Sequence, residues 1–299
     1  MVTALAANLG IAASKFVAAL VTGSASMLAE SVHSVADSAN QVLLLIGGAR
    51  ARRAPSTLHP FGYARERYVY AFLVAIVLFT AGGLYALYEG YHKVSDPHEL
   101  SSPLVAVVVL LIAMALEGYA LRTAMRAANR VRGRQSWVQF VRHARAPELP
   151  VILLEDTGAL TGLLLALAGV GLSVLTGNGV FDGIASLAIG VLLVCIAVVL
   201  ATEMKSLLIG EAAAPEEVAR IHTALVGPAN VDRVIHLRTM HLGPDELLVA
   251  ANIGISADDH GDTIATTIDQ AEARIRAAVP TARLVYLEPD VYRPPPDTT

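Results

Sequence analysis

Apolar residues fill long stretches of the chain up to about position 207 and then give way to short alternating runs. A helix needs about 20 apolar residues to cross the hydrocarbon core of a bilayer. Six stretches supply them: 3–22, 25–48, 68–91, 103–123, 150–175 and 180–204. Short turns join the first to the second (Thr22-Gly23-Ser24), the third to the fourth (Val94 to Ser102) and the fifth to the sixth (Gly177-Asn178-Gly179). Longer polar loops join the second to the third and the fourth to the fifth. Residues 1–207 therefore predict a six-helix transmembrane bundle.

Residues 208–292 read as water-soluble. Pro215-Glu216-Glu217 opens a helix to about Val226, with proline in its first turn and acids at its N-terminus. Val231–Met240 and Leu247–Ile255 read as strands on either side of Gly243-Pro244, Thr263–Ala278 as a second helix, and Arg283–Leu287 as a last strand. The order αββαβ predicts an α+β domain with helices on one small sheet. Residues 293–299, with Pro294-Pro295-Pro296, read as a disordered tail.

Composition agrees with that division. Charged residues make up 16% of the 299, against about a quarter in a soluble domain. The net charge of −4 says less than its distribution. The loop after segment 2 carries Arg50, Arg52, Arg53, Arg65 and Arg67; the loop after segment 4 carries Arg122, Arg126, Arg130, Arg132, Arg134, Arg142 and Arg145. The short turns hold only Lys93. Cytoplasmic loops collect Lys and Arg, so both long loops, and with six spans both termini, are expected in the cytoplasm. Because the arginines flank membrane helices, a nucleic-acid partner is excluded. The first segment lacks a basic leader and carries Lys15 inside it, so the chain is expected to begin at its first membrane helix, not at a signal peptide. Cys195 is alone, which rules out disulfides and cysteine-built metal clusters; a buried, inert thiol is expected.

The chemistry lies in polar residues placed in the wrong solvent. Each ionisable residue in a membrane helix costs roughly 2.5–3.5 kcal/mol on insertion scales. Segment 2 carries Glu30, His33, Asp37 and Asn40 along one helix face, with His33 and Asp37 four residues apart. An imidazole and a carboxylate at that spacing suit a zinc ion, which takes mixed ligands, usually four in a tetrahedron. One helix cannot supply four ligands. Segment 5 offers Glu155 and Asp156, about 100° apart around a helix, so one of them is expected to face the pair; Asp156, the deeper, is favoured. The alternative is that these groups bond one another and hold the bundle together, although such contacts contribute only about 0.6–2 kcal/mol each. Lys15 is expected to neutralise an acidic partner. Glu89, Glu117 and Glu203 fall near the ends of predicted helices, where reaching back to water is expected.

These residues also carry a resemblance. Gly23-Ser24-Ala25-Ser26-Met27-Leu28-Ala29-Glu30-Ser31-Val32-His33-Ser34-Val35-Ala36-Asp37 resembles the second helix of cation diffusion facilitators, in the branch of ZnT9-like zinc transporters. His59-Pro60-Phe61-Gly62-Tyr63-Ala64-Arg65-Glu66-Arg67-Tyr68 is similar to that branch's following loop, and Leu153-Leu154-Glu155-Asp156-Thr157 to its fifth helix. The resemblance implies six helices, a cytoplasmic ferredoxin-like domain, a homodimer, and metal export coupled to proton entry. It also implies a transport site with two residues from helix 2, matched by His33 and Asp37, and two from helix 5. Asp156 matches the second of those; the first, often histidine in zinc exporters, is Ile152 here. Glu155, water or another helix must then complete the shell, and one nitrogen fewer makes the site more oxygen-rich. His59 matches one ligand of an auxiliary loop site, whose other positions are Tyr63 and Ser56 here.

The expected function is therefore secondary transport without enzymatic catalysis: export of a divalent cation, Zn²⁺ first, in exchange for protons, with no organic cofactor, from a bacterial-type plasma membrane. Imidazole and carboxylate bind metal only when deprotonated, and an imidazole titrates near pH 6.5, so proton and metal compete for the same atoms. Transport of Mn²⁺, Fe²⁺ or Co²⁺ by the same fold, a metal-binding sensor or scaffold, and a membrane-embedded hydrolase are the alternatives; no cleft or general-base motif supports the last. In the C-terminal domain His236, His241, His260, Asp258, Asp259, Asp262 and Glu288 are possible metal ligands, though dimerisation is the expected role.

Overall fold

The computed structural model describes residues 2–97, 102–226 and 231–292. The disordered tail expected at 293–299 lies outside them. The chain forms two compact units: Met1–Arg53 with Glu66–Lys205, and Ala54–Arg65 with Ser206–Thr299.

The first unit is helical: α1 (Val2–Thr22), α2 (Ala25–Ala51), α3 (Glu66–Val77) continuing through a π-helical segment (Leu78–Leu84) into α4 (Tyr85–Ser95), α5 (Pro103–Val131), the short α6 (Trp137–His143), α7 (Glu148–Thr176) and α8 (Val180–Ile209). Among the described residues, four helices are long and apolar enough to cross a membrane: Glu66–Ser95, Pro103–Val131, Glu148–Thr176 and Val180–Ile209. α2 is of similar length but carries the polar stripe. It can do so because it packs against α1, α3, the π segment, α4 and α7, and buries Glu30, His33 and Asn40 in protein instead of lipid. Gly162 brings α7 up against the Glu30 carboxylate; a Cβ there would collide with it.

Three features depart from the sequence reading. α5 runs on past residue 123 to Val131. Its last turns are amphipathic: Ala124 and Ala128 join Phe140 and Leu153 in a small core, with Leu121, Trp137, Leu149 and Ile152 packed around them. The loop after α5 also holds α6, started by a capping box in which Gln139 N donates to Ser136 Oγ (3.2 Å) and Ser136 N to Gln139 Oε1 (3.0 Å). Cys195, expected to be buried, is exposed on α8; it follows the lipid-compatible apolar surface of that helix and not its packed side.

The second unit has α9 (Pro215–Leu225), β1 (Arg233–Gly243), β2 (Glu246–Gly254), α10 (Gly261–Ala278) and β3 (Leu284–Asp290), in the expected order. β1 and β2 pair antiparallel, β2 and β3 parallel, giving the order β1-β2-β3. Strand alternation sends Leu247, Val249, Ala251 and Ile253 into a core with Ile221, Leu225, Ala271 and Ile275 of the two helices. The stretch 54–65 belongs to this unit, with Arg65 Nη2 donating to Met240 Sδ at 3.3 Å.

Candidate functional site

Position by position, the polar face of α2 has two kinds of environment. At its start Ser24 caps the helix, accepting from Met27 N at 3.2 Å. The carboxylate of Asp182, in the first turn of α8, accepts from Ser24 Oγ (2.8 Å), Ala25 N (2.7 Å), Ser26 N (3.4 Å) and Ser26 Oγ. Lys93 Nζ donates to Gly23 O at 2.9 Å. One turn deeper, Lys15 of α1 meets Glu30 Oε2 at 3.3 Å and donates to Ser34 Oγ at 2.8 Å, the neutralising role expected of it.

Below that, partners run out. His33 is fully buried, and neither ring nitrogen has a hydrogen-bond partner. Its Nδ1 stands 3.6 Å from Asp37 Oδ1, beyond hydrogen-bond reach, and that oxygen is also unpartnered. Glu30 Oε1 and Asn40 Oδ1 complete a series of buried unpartnered atoms at 30, 33, 37 and 40. Asn40 Nδ2 does have a partner, donating to Glu155 Oε1 at 2.6 Å. The π-helical segment lies alongside: a Cβ on Gly82 would come within 3.8 Å of His33 Nδ1. Single π turns within α-helices recur at functional sites.

Asp37 opens onto a cavity of about 60 Å³, room for a few waters or one partly hydrated cation. Its walls include Asp37 from α2, Glu155, Asp156 and Ile152 from α7, and Glu117 from α5. The structure thus brings Asp37, Glu155 and Asp156 together, with His33 behind Asp37. It differs from the sequence reading in admitting both acids of α7: Glu155 sits at the α2 interface and Asp156 one step around, and the cavity spans the angle between them. Glu117 was missed. It is not near a helix end, because the arginine-bearing extension of α5 leaves it midway along the helix. Asp182 was missed too, for want of any local pattern that distinguishes a capping acid from another polar residue. Among the described residues no three His, Cys, Asp or Glu side chains are already gathered at coordinating distance, so the cavity holds its acids apart around open space.

His59 shapes its own loop. Its carbonyl accepts from Ser56 N (3.1 Å) and Gly62 N (3.0 Å), its N–H donates to Ser56 Oγ (3.1 Å), and its ring meets Tyr63 edge-on at 4.7 Å. Ser56 Oγ and Tyr63 OH are themselves hydrogen-bonded at 3.0 Å, so two of the three auxiliary side chains are engaged with each other while the His59 ring packs on Tyr63. In the C-terminal unit the register sets His236 opposite Asn252 and Asn252 opposite Glu288. These three share the lining of a hollow of about 350 Å³, which His241, His260, Asp258, Asp259 and Asp262 do not join.

Comparison with known proteins adds to this picture. The family described as the cation efflux transmembrane domain matches residues 1–209. The human protein "Proton-coupled zinc antiporter SLC30A9, mitochondrial" is 32% identical over 242 residues, covering 80% of this chain and 42% of that protein. "Metal tolerance protein C4" of Arabidopsis thaliana is 29% identical over 253 residues, covering 84% of this chain and 55% of its own length. "Zinc transporter ZitB" of Pectobacterium atrosepticum is 33% identical over 98 residues, 32% of this chain and 28% of that one. The chain spans less than half of the human relative and little more than half of the plant one.

Proposed function

The chain belongs to the cation efflux family, the cation diffusion facilitators, in its ZnT9-like branch, and from that premise we propose that it carries a divalent cation, Zn²⁺ first, through the cavity beside α2 in exchange for protons. The observation that carries the reading is the run of buried, unpartnered atoms on Glu30, His33, Asp37 and Asn40, ending at a cavity walled by Asp37, Glu155 and Asp156. A buried polar atom without a partner costs about 1–3 kcal/mol. A cation held by His33, Asp37 and Asp156, with Glu155 as a further carboxylate, removes that cost. Protons on the same groups do so when the cation has left. Proton coupling follows from that shared occupancy and agrees with the name of the human relative.

The distribution of arginine supports the orientation with both termini on the cytoplasmic side, and export from it across a bacterial-type plasma membrane. A homodimer joined through the C-terminal unit is part of the same reading, as are its boundaries, 1–207 for the bundle and 208–292 for the cytoplasmic domain.

Flux into proteoliposomes, run with Zn²⁺, Mn²⁺, Fe²⁺ and Co²⁺, tests it. The expected result is saturable Zn²⁺ flux accompanied by counter-movement of protons and weakening as the pH on the loading side falls toward 6. Asp37→Asn should reduce it to the background of empty vesicles. Binding without flux would make the chain a sensor or scaffold and sink the transport reading. Preference for Mn²⁺ over Zn²⁺ would replace the cargo and keep the mechanism.

A further inference from the structure

Resting on that reading of the cavity, we infer that Glu117 of α5 is a ligand of the transported cation and fills the coordination place that Ile152 leaves without a donor. Glu117 is the middle residue of a 29-residue helix, so about 20 Å of helix separates it from either end. The apolar stretch ends at Arg122, five residues on and about 7.5 Å along the helix, yet Glu117 is half-buried and walls the cavity beside Asp37 and Asp156. From Leu104 to Leu121 it is the one ionisable side chain other than Tyr119. Its face of α5 turns to the cavity: Ala120, one turn on, lines the same space, whereas Leu116 and Tyr119 lie on the exposed surface.

Inside the cavity Glu117 meets Asp37 and Asp156 but no cation. Lys15, the nearest candidate on α1, is already held by Glu30 and Ser34. Glu155 gives one oxygen to Asn40. Among the described residues neither Glu117 nor Asp156 makes a hydrogen bond or ion pair, and His33 contributes a fully buried imidazole with both nitrogens unpartnered, its Nδ1 aimed at Asp37. Ile152, one turn before Asp156, offers the same space only methyl groups. An acid on a third helix supplies what that position lacks. Asp37, Asp156, Glu117 and His33 then make a shell of three oxygens and one nitrogen. Zinc accepts it at about 2.0–2.2 Å, and it admits harder cations such as Mn²⁺ more readily than a site with two imidazoles.

Equilibrium binding of Zn²⁺, Co²⁺ and Mn²⁺ to the full chain, purified in detergent, tests the assignment. Glu117→Gln should weaken all three by roughly ten- to a hundredfold. Adding Ile152→His to that variant should restore Zn²⁺ and Co²⁺ but not Mn²⁺, because a nitrogen then occupies the vacated place. The visible absorption of bound Co²⁺ should change with the donor exchanged. If Glu117→Gln binds every ion as the wild type does while Asp37→Asn binds none, Glu117 is no ligand and the transport site stands without it. If Asp37→Asn also binds normally, the reading of the whole cavity falls. Should Glu117→Gln fail to fold, Glu117→Asp keeps the charge and withdraws it by one methylene; unchanged affinity there overturns the inference equally.

Discussion

Helix α2 carries polar side chains in its first turn and again in its middle, and the two groups end in opposite conditions. Around Ser24 and Ser26 every donor finds an acceptor, since the Asp182 carboxylate takes several bonds from the helix start and Lys93 holds Gly23. A carboxylate at a helix N-terminus also meets the favourable end of the macrodipole. From His33 to Asn40, on the same helix, His33 and Asn40 are as deeply buried and Asp37 opens onto the cavity, yet both imidazole nitrogens, Asp37 Oδ1 and Asn40 Oδ1 have no hydrogen-bond partner. Burial costs both groups their hydration. The first is compensated from within the chain, which is the signature of architecture. The unpartnered atoms of the second have no such compensation among the described residues, which is why the proposed function places the cation there.

That contrast can be broken in several ways. The largest effect is expected from Asp37→Asn, which should abolish flux while leaving the thermal unfolding midpoint in detergent unchanged or higher, because a carboxylate without a fixed partner is replaced by a neutral amide. Next is Lys15→Met, which strands the Glu30 carboxylate; about 3–5 kcal/mol of stability should be lost, and the double variant with Glu30→Gln should recover most of it in a double-mutant cycle. Asp182→Asn should cost about 1.5–3 kcal/mol through weakened charged hydrogen bonds, with flux per folded molecule unaltered; loss of flux at full stability would show that the capped end is not merely architectural. The smallest effect is expected for His59→Ala, whose loop is held largely by backbone bonds: zinc binding and flux should be unchanged, and a lost second binding equivalent would show that the loop holds metal after all.

Much of this could be read in the sequence because polar residues are conspicuous in an apolar helix. His33, Asp37 and the acids of α7 stand out against Leu, Ala and Val, and the αββαβ order follows from a helix cap, two alternating runs and a Gly-Pro turn. Glu117 was hidden by a boundary. Hydropathy falls at Arg122, so the pattern predicts a helix end there and an acid reaching back to water. In fact Arg122, Arg126 and Arg130 share one stripe while Ala124 and Ala128 pack against Phe140 on another. Apolar content marks where lipid ends, not where a helix does. The partners of Asp182, the π-helical segment beside His33, and the membership of 54–65 in the second unit depend on contacts between distant segments, which a single sequence does not encode locally.

The Asp182 attachment has a mechanical consequence. With its first turn fastened to α8 through Asp182, α2 is pinned near Ser24, and any tilt of the helix would pivot there. Thirteen residues at 1.5 Å each put Asp37 about 20 Å from that pivot. A swing of about 10° would carry its carboxylate some 3–4 Å, more than the length of a zinc–oxygen bond. On the proposed reading of the site, a rotation of that size about the fastened turn would be enough to part Asp37 from a bound ion.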